Sequence, residues 1–367
     1  MIGSSKHKIF FSPSQNMSVL SNESVDLVVT SPPYPMIEMW DEIFSVQNPE
    51  IGENLTTNPD YAFELMHREL DKVWNECFRV LKEGGFMCVN IGDATRTING
   101  KFSLYNNHSR IVASCLQMGF NNLPNVIWRK VTNAPNKFMG SGMMPCGAYV
   151  TLEHEYILIF RKGEKRNYKS EEQKFIRRKS SFFWEERNTW FSDLWDLKGV
   201  KQNISKSKTR ERSAAFPLQI PYRLINMYSQ IGDVVLDPFM GLGTTTIAAI
   251  LLERHSAGFE IDPKLSPTII ENVTSYSVFM LNSLIKSRYD RHLDFVKERE
   301  QSGKEVGYQN DSLKCKVMTK QEIEMAFHYL SEVEYHQSKD LLSFEAKYEA
   351  KSDLSEIPYH ATPGSLF

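Results

Sequence analysis

The chain of 367 residues has only five cysteines, and they are scattered along it without a Cys-x-x-Cys pair. This distribution disfavours a disulfide framework and a structural zinc site, so we expect reduced thiols and no bound metal. No apolar run approaches the roughly twenty residues of a membrane-spanning helix. Residues 1–8 are polar, unlike a signal peptide. These absences predict a cytoplasmic protein with no membrane partner.

The sequence also has little net charge, because 43 Lys and Arg stand against 45 Asp and Glu, giving −2. A nucleic-acid-binding protein with this balance must gather its basic residues locally. Residues 164–212 do so, with fourteen basic and eight acidic side chains and interleaved aromatic rings. The segment could present cations to phosphates, or it could be a solvated charged insertion.

A proline-rich loop follows the apolar run 25–29, which predicts a buried strand. Residues 30–34 are Thr-Ser-Pro-Pro-Tyr. The two prolines fix φ near about −65° and have no backbone N–H, so the loop presents carbonyl oxygens in nearly fixed positions. The Pro32 carbonyl and the Ser31 hydroxyl could accept from a flat exocyclic amine while its ring stacks on Tyr34. That arrangement suits a nucleobase taken out of a duplex, although Ser-Pro-Pro also occurs in ordinary loops.

A second motif lies about two hundred residues downstream, where residues 234–252 predict a strand, a glycine turn and a helix. Gly241 and Gly243 would let the backbone approach a ligand closely. The next predicted strand, 257–262, brings Glu260 and Asp262 to the distance at which a carboxylate holds ribose hydroxyls. This pattern indicates a nucleoside cofactor, with a simple turn between core elements as the alternative. Thr246 replaces the third glycine of the dinucleotide fingerprint, which argues against nicotinamide or flavin.

Together the two motifs resemble those of the β-class DNA amino-methyltransferases of restriction-modification systems. In that family a Ser/Asp-Pro-Pro-Tyr loop is catalytic and an Asp-Pro-Phe-x-Gly-x-Gly-Thr-Thr turn binds the cofactor. The catalytic loop comes first in this chain, which is the order of the β class. Further matches are residues 82–91, 125–130, 153–160 and 215–221. The resemblance covers residues from about 8 to about 275.

The resemblance implies a set of functional residues. The catalytic residues would be Ser31, Pro32, Pro33 and Tyr34. The cofactor would be S-adenosyl-L-methionine, bound by Ser12, Ser31, Phe216, Pro217, Asp237, Pro238, Phe239, Gly241, Gly243, Thr244, Thr245, Glu260 and Asp262. Target recognition would fall in the basic segment, with DNA bound by Arg177, Arg178, Lys179, Lys206, Lys208, Arg210 and Arg212. Near the start, Ser12 and Ser14 stand where the family usually has Gly-Asp.

The resemblance also implies a reaction on duplex DNA without a covalent enzyme intermediate. Serine in place of aspartate before Pro-Pro-Tyr resembles the enzymes that methylate the cytosine amine, so we expect cytosine N4 methylation by base flipping. Adenine N6 is the alternative. A non-catalytic, cofactor-sensing DNA-binding module and a methyltransferase for RNA or protein glutamine are further hypotheses. A cognate restriction endonuclease is an expected partner, and the protein could be a monomer or a homodimer.

The expected fold is α/β, with a doubly wound, mostly parallel, seven-stranded and circularly permuted sheet. Residues 1–162 would form the catalytic half, 163–212 a DNA-recognition insertion, 213–275 the cofactor half and 276–367 a helical extension. An amphipathic helix is predicted over 63–81, capped by Asn58-Pro59 and stopped by Gly84-Gly85. Residues 322–334 and 341–351 also read as amphipathic helices. Residues 35–58 could cover the substrate or simply pack. We expect 31–34 and 237–243 to meet at one edge of the sheet.

Overall fold

One large sheet runs through the computed structural model, which describes residues 3–130, 139–140, 143–198, 216–275 and 278–349. The strands are β1 Ser4–Phe10, β2 Val25–Thr30, β3 Leu81–Ile91, β4 Ala94–Ile98, β5 Lys101–Tyr105, β6 Phe120–Lys130, β7 Met139–Gly140, β8 Ala148–Tyr149, β9 His154–Lys162, β10 Leu194–Leu197, β11 Val234–Asp237, β12 His255–Phe259, β13 Tyr308–Asn310, β14 Cys315–Val317, β15 Tyr329–Gln337 and β16 Leu341–Glu349. The α-helices are α1 Asp41–Gln47, α2 Pro49–Asn54, α3 Pro59–Val80, α4 Asn107–Gln117, α5 Glu171–Lys179, α6 Trp184–Trp190, α7 Gln219–Tyr228, α8 Thr244–Leu251, α9 Ser266–Ser275 and α10 Val278–Gln301. Short 3₁₀ turns cover Glu38–Trp40, Pro263–Leu265 and Lys320–Glu322.

Within the described residues the large sheet has ten strands, in the order β10-β6-β9-β3-β2-β11-β12-β1-β16-β15. The five strands from β3 to β1 are parallel, and β9 and β16 run in the opposite direction. The expected α/β sheet is therefore present, but it has ten strands among the described residues, where seven were expected. The seven from β6 to β1 come from residues 1–162 and 213–275. The basic segment adds β10 at one side, and the extension adds β16 and β15 at the other.

Helices cover both faces of the sheet, as a doubly wound fold requires. All six residues of β2 are buried, which is typical of a strand covered on both sides. On one face Val28 and Leu236 pack with Trp74 of α3 in one core cluster. On the other face Leu27 and Val235 pack with residues of α7, α8 and α9 in a second cluster. The sheet is thus fixed between two apolar layers, and its carboxyl edge stays available for loops.

The long helix α3 begins where the sequence predicted. Asn58 caps it, since its side chain accepts a hydrogen bond from the Tyr61 N–H, and Pro59 occupies the first turn. The predicted stop at Gly84-Gly85 is wrong, because the helix ends at Val80 and β3 follows directly. Glycine is needed at position 84 for another reason. Its φ is +78°, and a Cβ there would lie 2.5 Å from the backbone nitrogen of Arg166.

The C-terminal extension is only partly helical, so the prediction of helices over 322–334 and 341–351 is wrong. Helix α10 is present, but β15 and β16 then form an antiparallel pair. Leu342, Phe344 and Ala346 are buried at every second position of β16. That period of two is the pattern of a strand with one covered face. Seven residues of β16 pair with β1, from Ser4 opposite Lys347 to Phe10 opposite Leu341.

The part of the basic segment that precedes β10 lies against the amino edge of the sheet and against the extension. Arg166 pairs with Asp233, just before β11, and the Ile231 N–H donates to the Ser180 hydroxyl. In α6, Glu186 forms a buried double hydrogen bond with Arg288 of α10. This segment is therefore packed into the fold on at least one side. Among the described residues, no helix combines the length and the apolar character needed to cross a membrane.

Candidate active site

The two predicted motifs meet at the carboxyl edge of the sheet, because β2 and β11 are parallel neighbours. Thr30 ends β2 and donates to Oδ1 of Asp237, which ends β11, at 2.6 Å. The Thr245 hydroxyl donates to the other carboxylate oxygen at 2.6 Å, and the Phe239 N–H donates to Oδ1. Burial raises the pKa of Asp237 to about 6. Asp237 thus connects the Ser-Pro-Pro-Tyr loop, the glycine turn and α8 through hydrogen bonds.

The turn after β11 has the backbone shape that its glycines permit. Gly241 and Gly243 have φ values of +51° and +88°, in the left-handed region that favours glycine. Gly243 precedes the first residue of α8, so the free N–H groups of that helix face the turn. A Cβ on Gly241 would meet no atom within 4 Å. The backbone is therefore open to a ligand at this point.

A cavity of about 600 Å³ lies between the two loops, within the size range of small-molecule sites. Most of the predicted site residues line it: Ser12, Ser31, Pro32, Pro33, Tyr34, Phe216, Asp237, Pro238, Phe239, Gly241, Thr244, Glu260 and Asp262. Three predicted cofactor residues, Pro217, Gly243 and Thr245, lie outside its wall. Two of these residues support the wall indirectly. Gly243 gives the turn its left-handed conformation, and Thr245 donates a hydrogen bond to Asp237.

Glu260 follows β12 and places a carboxylate in the cavity. One of its oxygens accepts from the Asp262 N–H at 2.9 Å, and burial raises its pKa to about 7. Phe239, Phe259 and Leu265 supply apolar surface nearby. A flat apolar ring and a pair of hydroxyls would find complementary chemistry here. The residues present therefore fit a nucleoside cofactor.

The remaining wall comes from the segment 35–58, which was expected either to cover the substrate or simply to pack, and from residues that were not assigned to the site. Trp40, Ile43 and Gln47 of the segment 35–58 line the cavity, so this segment does border the site. Helix α3 contributes Glu69, and Gln15 donates to both Gln47 and Glu69, at 3.2 and 3.0 Å. Helical periodicity predicts which side chains of α3 face inward, but it gives no sign of which of them reach a cavity.

A polar network that sequence reasoning also missed connects the Ser-Pro-Pro-Tyr loop to β3 and β9. The Tyr34 hydroxyl donates to Oε2 of Glu155 at 2.9 Å. Asn90 Nδ2 donates to Tyr34 Oη at 2.8 Å and to Glu155 Oε2 at 2.7 Å, and Lys130 Nζ contacts Glu155 Oε1. The Ser31 and Tyr34 oxygens lie 3.2 Å apart. Burial, and then the Glu155 carboxylate, raise the pKa of Tyr34 well above its ordinary value. Polar residues inside apolar strands were the available signal.

The predicted DNA-binding residues divide into two groups. Arg177, Arg178 and Lys179 end α5, and Arg178 pairs with Glu324 of the extension. Ser180 follows directly and bonds Ile231, ahead of β11, so these three residues lie at the edge opposite the cavity. Lys206, Lys208, Arg210 and Arg212 lie outside the described residues.

The described residues on either side of 199–215 lie at the carboxyl edge of the sheet, where the cavity is. Leu197 ends β10 beside Lys130, and Phe216 lines the cavity. The described residues that flank 199–215 therefore lie near the site, whereas Arg177, Arg178 and Lys179 do not.

A family model described as DNA methylase matches residues 25–271. The type II methyltransferase M.MthZI of Methanothermobacter thermautotrophicus is 49% identical over 88% of this chain and 90% of its own length. The type II methyltransferase M.MjaI of Methanocaldococcus jannaschii is 50% identical over 73% of this chain and 91% of its own.

Among solved structures, TTHA0409 of Thermus thermophilus, crystallised with S-adenosyl-L-methionine, is 31% identical, with a TM-score of 0.57 over 73% of this chain and 93% of that one. PvuII DNA methyltransferase (cytosine-N4-specific) is similar in fold, with a TM-score of 0.53 at 18% identity, over 76% of this chain and 93% of that one. The match to the family model includes both motifs that border the cavity. The chain therefore belongs to the DNA methylase family.

Proposed function

We propose that this protein transfers a methyl group from S-adenosyl-L-methionine to the exocyclic N4 amine of cytosine in duplex DNA. The observation that carries the proposal is the shared cavity. The Ser-Pro-Pro-Tyr loop and the glycine turn face it from adjacent strand ends, joined by the Thr30–Asp237 hydrogen bond. A donor and an acceptor of a methyl group would lie side by side there.

S-adenosyl-L-methionine is the methyl donor. TTHA0409, which is 31% identical, was solved with that compound, and the cavity has the parts to hold it. Glu260 would accept hydrogen bonds from the ribose hydroxyls. Thr244 and the N-terminal N–H groups of α8 would bond the polar amino acid end. When bound, the cofactor supplies an electrophilic methyl group on a sulfonium centre.

The chain's own residues would position the acceptor. A cytosine amine is a poor nucleophile because its lone pair is conjugated with the ring, so the site must hold its hydrogens to localise that pair. The Ser31 hydroxyl and the Pro32 carbonyl are the acceptors for this role. Tyr34 would stack on a base rotated out of the duplex. Alignment in a site shielded from water is then the main contribution to the rate.

The choice of cytosine depends on Ser31. A neutral hydroxyl stands where enzymes of this kind can have an aspartate, and its oxygen can face a pyrimidine amine without adding charge. Adenine N6 is the competing target, because the same pair of acceptors can hold any exocyclic amine.

Mass spectrometry of nucleosides tests the target base. DNA from cells that express the gene would be digested, with DNA from cells that express Ser31→Ala as the control. We expect N4-methylcytosine with the natural protein only. Methyladenine without methylcytosine would replace the target by adenine N6, and purified protein that binds DNA but transfers no labelled methyl group would contradict the enzyme.

We further propose that the protein is the modification enzyme of a restriction-modification system. Two relatives that it matches over most of their length are type II methyltransferases. Methylation-sensitive sequencing of the same cellular DNA would give the recognition site. That site should then resist an endonuclease of the same specificity, and cleavage of the fully methylated site would contradict this role.

A further inference from the structure

A chain of hydrogen bonds leads from the catalytic loop to a carboxylate in the sheet. Its order is Ser31 Oγ, Tyr34 Oη and Glu155 Oε2, with separations of 3.2 and 2.9 Å. Asn90 Nδ2 donates to the last two atoms, and Lys130 contacts the other oxygen of Glu155. Only Ser31 and Tyr34 of this set line the cavity, whereas Glu155 is 8% exposed and Asn90 3%.

The direction of each hydrogen bond follows from the number of hydrogens available. An ionised carboxylate can only accept, so the Tyr34 hydroxyl gives its one hydrogen to Glu155. The Tyr34 oxygen is left as an acceptor, and the hydroxyl of Ser31 can donate to it. Ser31 then has no hydrogen to offer the cavity. It presents only lone pairs to a bound base.

We propose that Glu155 is a positioning residue that determines base specificity by fixing this direction. Its charge makes Ser31 an obligate acceptor, which favours a base with an exocyclic amine over one with a keto oxygen at the same position. This inference rests on the proposed function of the Ser31 loop. It adds a residue that touches neither cofactor nor base.

The state of Asn90 supports the assignment. Its Oδ1 is buried without a hydrogen-bond partner among the described residues, while the two hydrogens of Nδ2 face three acceptors, Glu155 Oε2 at 2.7 Å, Tyr34 Oη at 2.8 Å and Ser31 Oγ at 3.4 Å. Rotating the amide would bring Oδ1 against the carboxylate. The observed orientation therefore leaves Oδ1 unsatisfied, at a cost of about 1–3 kcal/mol, and keeps the donor side of the amide against Glu155.

Glu155→Gln tests the proposal, because it keeps the size of the side chain. Glutamine has a single acceptor oxygen, and Lys130 on one side competes for it with Tyr34 and Asn90 on the other. When the amide NH₂ faces Tyr34, the hydroxyl of Tyr34 turns toward Ser31, and Ser31 becomes a donor to the cavity. Tyr34→Phe breaks the chain at its middle and gives a second, independent variant.

The measurement is the ratio of dissociation constants for two duplexes that carry the recognition site. One has cytosine and the other uracil at the target, each opposite an abasic position so that neither base is paired. We expect the natural protein to prefer cytosine by roughly tenfold to a hundredfold, because uracil leaves a buried acceptor without a donor, at a cost of about 1–3 kcal/mol. In Glu155→Gln, in Tyr34→Phe and in the double variant the ratio should fall severalfold, to the preference that the Pro32 carbonyl supplies by itself. Because the substitutions act on one chain, the double variant should add nothing.

Glu253→Gln is the matched control, because Glu253 is a buried carboxylate that pairs with His328 away from the cavity. It should leave the ratio unchanged. The proposal is overturned if Glu155→Gln or Tyr34→Phe folds with an unchanged melting temperature and keeps the preference of the natural protein. Should one variant not fold, the other decides. If methyladenine proves to be the product, adenine and hypoxanthine replace the two bases, so failure of the cytosine assignment is separate from failure of this inference.

Discussion

The hydroxyl of Thr30 donates a 2.6 Å hydrogen bond to the carboxylate of Asp237, which lies 207 residues further along the chain. Thr30→Val keeps the shape of the side chain and leaves one oxygen of a buried carboxylate short of a donor. We expect the free energy of unfolding to fall by about 1–3 kcal/mol, as measured by denaturant titration. Thr274→Val is a suitable control, since that exposed hydroxyl bonds only a carbonyl of its own helix. Equal losses in the two variants would contradict the tie between the loops.

The burial of Asp237 predicts a dependence of stability on pH. Its pKa is raised from 3.8 to about 6, so the folded protein holds this proton more tightly than the unfolded chain. The cost of the buried charge is therefore fully present above about pH 6 and is relieved as the pH falls toward 4. Relative to Asp237→Asn, the natural protein should gain up to about 3 kcal/mol of unfolding free energy between about pH 7 and pH 4. A difference that does not change with pH would show that the carboxylate is not desolvated.

Cofactor affinity should also depend on pH, through Glu260. Burial raises the pKa of this group to about 7, and only the ionised form has both oxygens free of a proton to accept from the two ribose hydroxyls. Below about pH 7 the affinity for S-adenosyl-L-methionine should fall, by at most about tenfold per pH unit. Isothermal titration calorimetry would measure it. Glu260→Gln should bind more weakly at about pH 8 and show a flat profile. If the affinity of Glu260→Gln still falls below about pH 7, the pH dependence belongs to another group.

The two basic groups should differ in their effect on DNA binding. Joint replacement of Arg177, Arg178 and Lys179 by glutamine should change affinity little, because these residues lie at the edge opposite the cavity. The same replacement of Lys206, Lys208, Arg210 and Arg212 should weaken binding and reduce the slope of log K against log salt by about 0.9 per lost phosphate contact. Fluorescence anisotropy over a range of salt concentrations measures both. The opposite ranking would place the DNA along α5.

The strand assignment of residues 341–349 gives an alternating pattern of mutational effects. Phe344 is 2% exposed in the core, so Phe344→Ala should lower the free energy of unfolding by about 3–5 kcal/mol. Lys347 is on the other face and forms a solvent-exposed pair with Glu332, so Lys347→Ala should change the free energy of unfolding far less than Phe344→Ala does. Thermal or chemical unfolding of the two variants separates them. Comparable losses would be inconsistent with one covered face.

The sequence alone predicted the centre of the site. An apolar run followed by prolines and another followed by glycines both predict strands that end in loops. Since parallel strands share a carboxyl edge, the loops of Thr30 and Asp237 could be expected to meet. The Glu155 network could not be predicted in this way. It depends on the register of β3 and β9, which sets Asn90 and Glu155 near each other and which neither local sequence specifies.

The extension was misread because its sequence satisfies two periods. Leu341, Phe344 and Tyr348 repeat at helical spacing, while Leu342, Phe344 and Ala346 repeat at strand spacing. The available partner decided between them, since β1 presents a free strand edge that β16 completes. The charge count located a basic segment, but it carries no information on which edge of the sheet Arg178 reaches.

The pairing of Ser4 with Lys347 has a consequence for biosynthesis. β1 keeps one side unpaired until β16 has been synthesised, because Ser4 and its partner Lys347 lie 343 residues apart in the sequence. Pairing with its other neighbour, β12, is also delayed, because His7 pairs with Ser256, which is synthesised 249 residues later. Contacts of such long sequence separation slow folding and leave an edge exposed to other chains in the meantime. Translation that halts before residue 341 would therefore release a product that is prone to aggregate, even though the whole catalytic cavity has been synthesised.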